Sequence, residues 1–370
     1  MPYIYYIFFG ILLISCKNET KSKEREQPVT VVAESIPADG PKFVKSIQIV
    51  TPLKGDTCRF NQKIKITYAN LKRFPVDSAQ LFFNNKLIVT LDSTTREFEF
   101  TLPADKCGTN TIKIFAFHPD NRQGSATQSL ILKPDKAPRR LSYDLVQTYS
   151  HASDASTQGL VYHKGFIYEG TGIRGKSTLR KIDLENNKIL STLSLKSEYF
   201  GEGVTIYNDK IYQITWTSRK GFVYNIDTFS EETTFDYTTQ GWGITTMDDR
   251  LVMSDGTHLL YHLNPGNFNK IKTVEVYDHN GPVEQLNELE YINGYIWANV
   301  WLTDRIVVIH PESGVVVEEL YLPNMLTPAE KAKIDLKEDV LNGIAYNPGK
   351  GTIYVTGKHW PKMFELKIIR

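Results

Sequence analysis

Charge of one sign, long apolar runs and cysteine are all scarce in this 370-residue chain, and each shortage removes a class of function. Lys and Arg number 43 against 42 Asp and Glu, for a formal charge of +1, and no basic tract stands out. A nucleic-acid footprint is therefore not expected. Three cysteines are too few for a disulfide-dense scaffold. His258, His262, His279 and His310 show no HxxH-type or paired spacing, so no zinc site is expected from them. Ala-rich helical stretches are nearly absent, whereas Tyr (20) and Phe (18) abound, which points to an all-β chain. The length suggests two or three domains with ample chain for a core.

The N-terminal run from Tyr3 to Ser15 is too short to span a bilayer but has the length of a signal h-region. It ends in Leu13-Ile14-Ser15-Cys16, which resembles the lipobox of bacterial lipoproteins. That resemblance implies a signal peptide over residues 1–16, lipidation of Cys16, and an exported protein anchored to the membrane of a bacterial cell envelope. No Lys or Arg precedes the run, so the charged n-region is reduced to the terminal amine; a plain cleaved signal or a buried core segment is the alternative. Residues 17–43, rich in Lys, Glu, Ser and Pro, read as a flexible tether. Over 44–135, short alternating segments such as KIKITY, AQLFF, KLIVTL and TIKIFAF suggest an immunoglobulin-like β-sandwich. Cys58 and Cys107 each sit just ahead of a strand, and export makes a disulfide between them an expectation, with two free buried thiols as the alternative.

Internal repetition is the strongest signal, and it fills residues 141–370. Five segments share one grammar of a small or polar pair, apolar alternation, a turn, then an aromatic-rich strand: TQGLVYHKGFIYEGTG, GEGVTIYNDKIYQITW, GWGITTMDDRLVMSDG, NELEYINGYIWANVW and NGIAYNPGKGTIYVTGK. Aligning Gly159, Gly203, Gly243, Glu288 and Gly343 gives steps of 44, 40, 45 and 55 residues, the length of four-stranded blades. The long last step holds TPAEKAKIDLKED, a short helix with Thr327 as N-cap and Pro328 at its first position. A five-bladed β-propeller is expected, probed by one oddity: the last segment has only MFELKII left for its outer strands. Tyr143–Ser150 can supply the missing strand and close the ring.

In such a ring, equivalent positions gather at one mouth of the channel. The residues before the aligned position are Gln158, Glu202, Trp242, Asn287 and Asn342, and just beyond the second strands lie Trp216, Trp301 and Lys358. This is an aromatic-walled pocket with one acid, several amides and one cation, suited to a small polar ligand. Alone, Glu202 would read as a structural ion pair and each tryptophan as inter-blade packing; their common level favours a site. Glu288 and Glu290 face alike on one strand and are expected to support the pocket from behind. Asp255 is expected to shape a turn, and His359 to play a structural part.

The motifs TQGL, FGEG with a following TW, GWG with MSDG, LNELE with ANVW, and LNGIA with VTGKHWP resemble the plant-type glutaminyl-peptide cyclotransferase (glutamine cyclotransferase) family, in order from Thr157 to Phe364. The resemblance implies a five-bladed propeller that converts N-terminal glutamine of peptides to pyroglutamate and releases ammonia, without cofactor or metal; a monomer is expected. It implies Glu202 and Lys358 as catalytic, and Gln158, Trp216, Trp242, Asn287 and Trp301 as substrate-binding. One departure is visible: Ser156 stands where the family usually has Phe before TQG. The chemistry fits the residues, because a single carboxyl can take the proton of the attacking α-amine and return one to the leaving ammonia. Lys358, Gln158 or Asn287 is the donor for the amide oxygen. A non-catalytic propeller binding peptide termini or sugars is the other reading. A calcium lactonase has only Glu202, Glu288 and Glu290 to draw on.

Overall fold

The computed structural model describes residues 42–71 and 74–370. The expected signal segment, Cys16 and nearly all of the tether lie outside these residues. Among the described residues, no helix is long and apolar enough to cross a membrane. Among the described residues the fold is all-β, with one short helix, Pro328–Lys331. That helix starts where the sequence places it: Thr327 accepts from the Glu330 N–H, and Glu330 reaches back to the Thr327 backbone in a capping box.

The N-terminal module holds two sheets. One runs Lys42–Val44, Arg122–Lys133, Gly108–Phe117, Ser78–Phe83, Lys86–Leu91, with Thr57–Arg59 also paired to Arg122–Lys133. The other is Ile47–Thr51, Lys63–Asn70, Glu97–Thr101. Alternation along the strands sends Ile66 from one sheet and Leu81, Ile112, Ile114, Leu130 and Leu132 from the other into a single core. Lys42–Val44 pairs with Arg122–Gly124, so ordered structure begins inside the segment read as tether.

The expected disulfide is not formed: Cys58 and Cys107 are free, buried thiols. They do sit at the same end of the module, but Leu132 pairs with Cys58 on one side and with Gly108 on the other. A whole strand therefore separates them, roughly 10 Å between backbones, where a disulfide spans less than about 7 Å. Burial, reinforced by nearby Glu275, pushes the Cys107 thiol up to about 12.

The module is docked, not free. Glu275 accepts a hydrogen bond from the Thr109 N–H at 2.9 Å, and the Cys107 N–H donates to the Ser313 carbonyl at 2.9 Å. Tyr277, on the far side of this seam, belongs to the module's own hydrophobic core. Gly108 has a left-handed φ of +75°, and a Cβ there would lie 2.5 Å from the Glu275 carboxyl, so the close approach requires glycine.

The remainder forms five sheets, antiparallel except where Arg139–Arg140 runs parallel to Val316–Tyr321. The first is Thr157–His163, Phe166–Thr171, Thr178–Asp183, Lys188–Ser194; the second Gly201–Tyr207, Lys210–Thr215, Lys220–Asn225, Glu231–Asp236. The third is Ile244–Met247, Arg250–Ser254, Leu259–Leu263, Lys270–Glu275. The fourth is Leu286–Ile292, Tyr295–Val300, Arg305–Ile309, Val316–Tyr321, edged by Arg139–Arg140. The fifth is Leu341–Asn347, Thr352–Gly357, Lys362–Ile369 and, from far upstream, Ser142–Ser150.

Each sheet buries both faces. Hydrophobic clusters lie between first and second (Tyr168, Phe222), second and third (Ile214, Leu251), third and fourth (Val252, Ile296), and fourth and fifth (Trp297, Val355). A further cluster, with Leu160 and Tyr354, joins the fifth back to the first. The first strands approach backbone to backbone. A Cβ on Gly159 would lie 2.3 Å from the Val204 nitrogen, one on Gly203 2.6 Å from the Ile244 nitrogen, and one on Gly243 2.1 Å from the Asn287 oxygen. The aligned glycines are thus where neighbouring strands nearly touch.

Ser142–Ser150 pairs antiparallel with Lys362–Ile369, from Ser142 opposite Ile369 to Ser150 opposite Lys362. Tyr149 adds a buried hydrogen bond to Glu365 at 2.9 Å. A chain beginning at Thr157 loses this strand and bares an edge of the fifth sheet. Its unfolding midpoint should fall by about 10 °C or more relative to a chain beginning at Leu141, for a loss of a few kcal/mol. Equal midpoints in calorimetry would show that the strand does not complete the fold.

Candidate functional site

In four of the five sheets the ladder between first and second strand slips at the same level. The slips fall between Thr157 and Gly159, Gly201 and Val204, Leu286 and Leu289, and Leu341 and Ile344. They bracket Gln158, Glu202, Asn287 and Asn342, so the expected ring residues sit on β-bulges, which re-aim side chains away from the ladder. In the third sheet the equivalent residue, Trp242, precedes the first strand, its backbone tied to Ser254 and Gly203.

The expected residues form a contiguous cluster. Trp242 meets Trp301 edge to face, centroids 5.4 Å apart and planes at 89°. The Lys358 ammonium lies 5.8 Å from the centre of the Trp301 ring, within cation–π range. Phe200 packs edge-on against Trp216 at 5.6 Å, and a Cβ on Gly172 would touch both Phe200 and the Gln158 amide. Gln240 accepts the indole N–H of Trp216 at 2.7 Å and of Trp242 at 3.0 Å. Ser156 accepts a long hydrogen bond of 3.4 Å from Gln158, a partner a phenylalanine there would not supply.

Glu202 is buried, and burial pushes its carboxyl well above the usual carboxylate range, with Lys358 pulling it back down. Burial in turn lowers the Lys358 ammonium, and Glu202 leads the charges that hold it up. Several buried polar atoms at this level have no partner among the described residues: Gln158 Oε1, Asn287 Oδ1, Asn342 Oδ1 and the Trp301 indole N–H. Such unspent groups are costly in an empty core and useful in a site that receives a polar ligand.

Glu288 and Glu290 accept hydrogen bonds from backbone N–H groups of neighbouring sheets. Glu288 Oε1 accepts from the Leu160 N–H at 3.1 Å and Oε2 from the Ile344 N–H at 2.9 Å, so one carboxylate ties the fourth sheet to the first and the fifth. Glu290 accepts from the Tyr346 N–H at 2.9 Å and from the Thr245 hydroxyl at 3.5 Å, tying the fourth to the fifth and third. Asp255 shapes its turn by accepting from the Thr257 N–H and hydroxyl, and from the Tyr261 hydroxyl. His359 contacts the Ser153 carbonyl at 3.0 Å, holding the loop after Lys358. Among the described residues, no three His, Cys, Asp or Glu side chains are grouped to hold a metal ion.

Gln240 and Phe200 are the neighbours that sequence reasoning did not assign to the site, whereas Ser156 was marked as a departure beside it. Phe200 lies within the FGEG motif; Gln240 reads as an ordinary turn residue, and no spacing marks it.

The sequence profile of the family described as Glutamine cyclotransferase matches residues 120–368, well over half of the chain. The chain belongs to the glutamine cyclotransferase family. It is 36% identical over 255 residues to the glutaminyl-peptide cyclotransferase of Arabidopsis thaliana, covering 68% of this chain and 78% of the relative. The crystal structure of Myxococcus xanthus glutaminyl cyclase superposes with a TM-score of 0.58 at 37% identity, over 62% of this chain and 98% of that one. The shared part of this glutamine cyclotransferase is thus the five-sheet portion and its immediate approach, and Glu202, Lys358 and the tryptophans all lie within it.

Proposed function

We propose that this protein is a glutaminyl-peptide cyclotransferase that converts N-terminal glutamine of peptides or proteins to pyroglutamate with release of ammonia, an acyl-transfer reaction internal to the substrate. The five sheets act as the blades of a five-bladed β-propeller, the N-terminal module is an immunoglobulin-like sandwich, and Cys16 carries a lipid that anchors the exported protein to the cell envelope. The observation that carries the reaction is a single desolvated carboxyl, Glu202, beside one cation, Lys358, among three tryptophans.

The substrate needs little more than a bent conformer and a proton carrier, because amine and amide already share one side chain. Glu202 takes a proton from the α-ammonium, freeing the amine to attack the γ-carbonyl carbon. The tetrahedral oxyanion is met by a donor among Lys358, Gln158 and Asn287. Glu202 then gives its proton to the departing nitrogen, which leaves as ammonia while the carbonyl reforms, and takes up the second proton of the ring nitrogen, leaving the neutral five-membered lactam. The partnerless carbonyl oxygens of Gln158, Asn287 and Asn342 suit the N–H-rich ammonium end of such a substrate. In this reading Glu288 and Glu290 are structural, so no calcium-dependent lactonase has ligands left at this level.

Gln-Ala should release ammonia stoichiometrically with pyroglutamyl-Ala, while Asn-Ala, whose ring would be four-membered, releases none. Saturable binding of Gln-Ala with no ammonia would select the non-catalytic binding module instead.

A further inference from the structure

The loop between the second and third sheets is held at several points. The Tyr237 N–H donates to the Arg219 carbonyl at 3.0 Å, Gly241 to Trp216 at 3.2 Å, and Trp242 to Ser254 at 3.0 Å. Gly241 itself has no room for a side chain, since a Cβ would lie 2.5 Å from the Tyr237 hydroxyl. Gln240 therefore projects from a fixed base, although its side chain is solvent-exposed. Long exposed side chains normally stay free, because holding one rotamer loses entropy. This one is held: its single amide oxygen accepts both the Trp216 and the Trp242 indole N–H.

Those two rings reach the pocket from different places, one from the end of the Lys210–Thr215 strand and the other from just before Ile244–Met247. Each indole can rotate about two side-chain bonds, and packing fixes only part of that freedom. Trp216 has Phe200 at one edge, and Trp242 has Trp301. The shared acceptor fixes what remains, and through Trp301 the alignment extends to Lys358.

We infer that Gln240 is a positioning residue that locks Trp216 and Trp242 in the orientation that holds the substrate, and so sets affinity without taking part in proton transfer. The inference rests on the cyclotransferase reading given above. It requires an acceptor at this side-chain length, which Glu provides and the nearly isosteric Met does not.

The test uses the full-length protein with Gln240→Met and Gln240→Glu, read by steady-state ammonia release from Gln-Ala and by the indole N–H resonances of the five tryptophans. Gln240→Met should raise KM about tenfold with kcat within about twofold, the pattern of lost binding common to ground and transition states. Two indole resonances should move while the unfolding midpoint stays put, and Gln240→Glu should restore KM to within about threefold. Unchanged KM and indole resonances in Gln240→Met would overturn the inference. So would a fall in kcat at constant KM, which would put Gln240 in the chemistry, or a Glu variant that behaves like Met. If the wild-type protein releases no ammonia, the enzymatic reading fails separately, and the indole shifts alone decide whether the clamp exists.

Discussion

Glu202→Gln will lower ammonia release from Gln-Ala by about a thousandfold or more, with the unfolding midpoint unchanged or raised. The size follows from what the amide lacks: it matches the carboxyl in shape but cannot carry a proton, and positioned proton transfer contributes about 10²–10⁴ to rate. Glu202 is asked to move two protons, so the upper part of that range applies. Stability should not suffer, because burial makes ionised Glu202 a liability to the fold that Gln removes. A variant retaining a tenth of wild-type turnover would exclude Glu202 as the shuttle.

The pH profile supplies an independent check. A carboxyl whose folded-state value is raised stays protonated above the ordinary carboxylate range. The acidic limb of kcat/KM should accordingly sit above pH 4.5, displaced toward neutrality, whereas the basic limb follows the substrate's own amine near pH 8. Lys358 is what holds Glu202 down, so Lys358→Met should move the acidic limb further up and leave the basic limb in place. If Lys358 is also the donor to the oxyanion, kcat falls by about a hundredfold in the same variant. A limb that stays put would show that the two charges do not sense each other.

The contrast between what the sequence made legible and what it did not has a physical root. The repeat was legible because Gly159, Gly203 and Gly243 mark places where strands approach too closely for a Cβ, a constraint that acts at one residue and leaves its mark there. The closing strand was legible because an unpaired edge is unfavourable and Tyr143–Ser150 stands just ahead of the first repeat. The bulges left no mark, since Gln158, Glu202, Asn287 and Asn342 follow no common residue type: one amide of glutamine, one acid and two asparagines. The docking of the N-terminal module rests on Glu275 reaching Thr109 across 166 residues, and no local pattern encodes that meeting. Cys58 and Cys107 misled for the same reason: proximity at one end of a module was readable, but the strand between them was not. Gln240 escaped because its role depends on two rings brought to it by other sheets.

Glu288 carries the second large effect. Its two carboxylate oxygens are the acceptors for the Leu160 and Ile344 N–H groups, which belong to two different first strands. Glu288→Ala leaves both donors buried and unpaired at about 1–3 kcal/mol each, and should lower the unfolding midpoint by about 10 °C. Glu288→Gln should recover little, because its amide nitrogen must face one of the N–H donors. Glu290 behaves differently. Its Oε2 meets a Thr245 hydroxyl that can turn to accept, so a protonated acid or a glutamine amide fits there. Burial lifts Glu290 to about 8. A group raised in the folded state supports stability fully below its unfolded value near 4.5, and that support drains away as pH climbs through 8. The unfolding midpoint of the wild type should therefore fall between pH 5 and 8.5 more steeply than that of Glu290→Gln. Parallel curves for the two proteins would mean that Glu290 ionises in the fold as readily as in the open chain, and that its bonds to Tyr346 and Thr245 outweigh its burial.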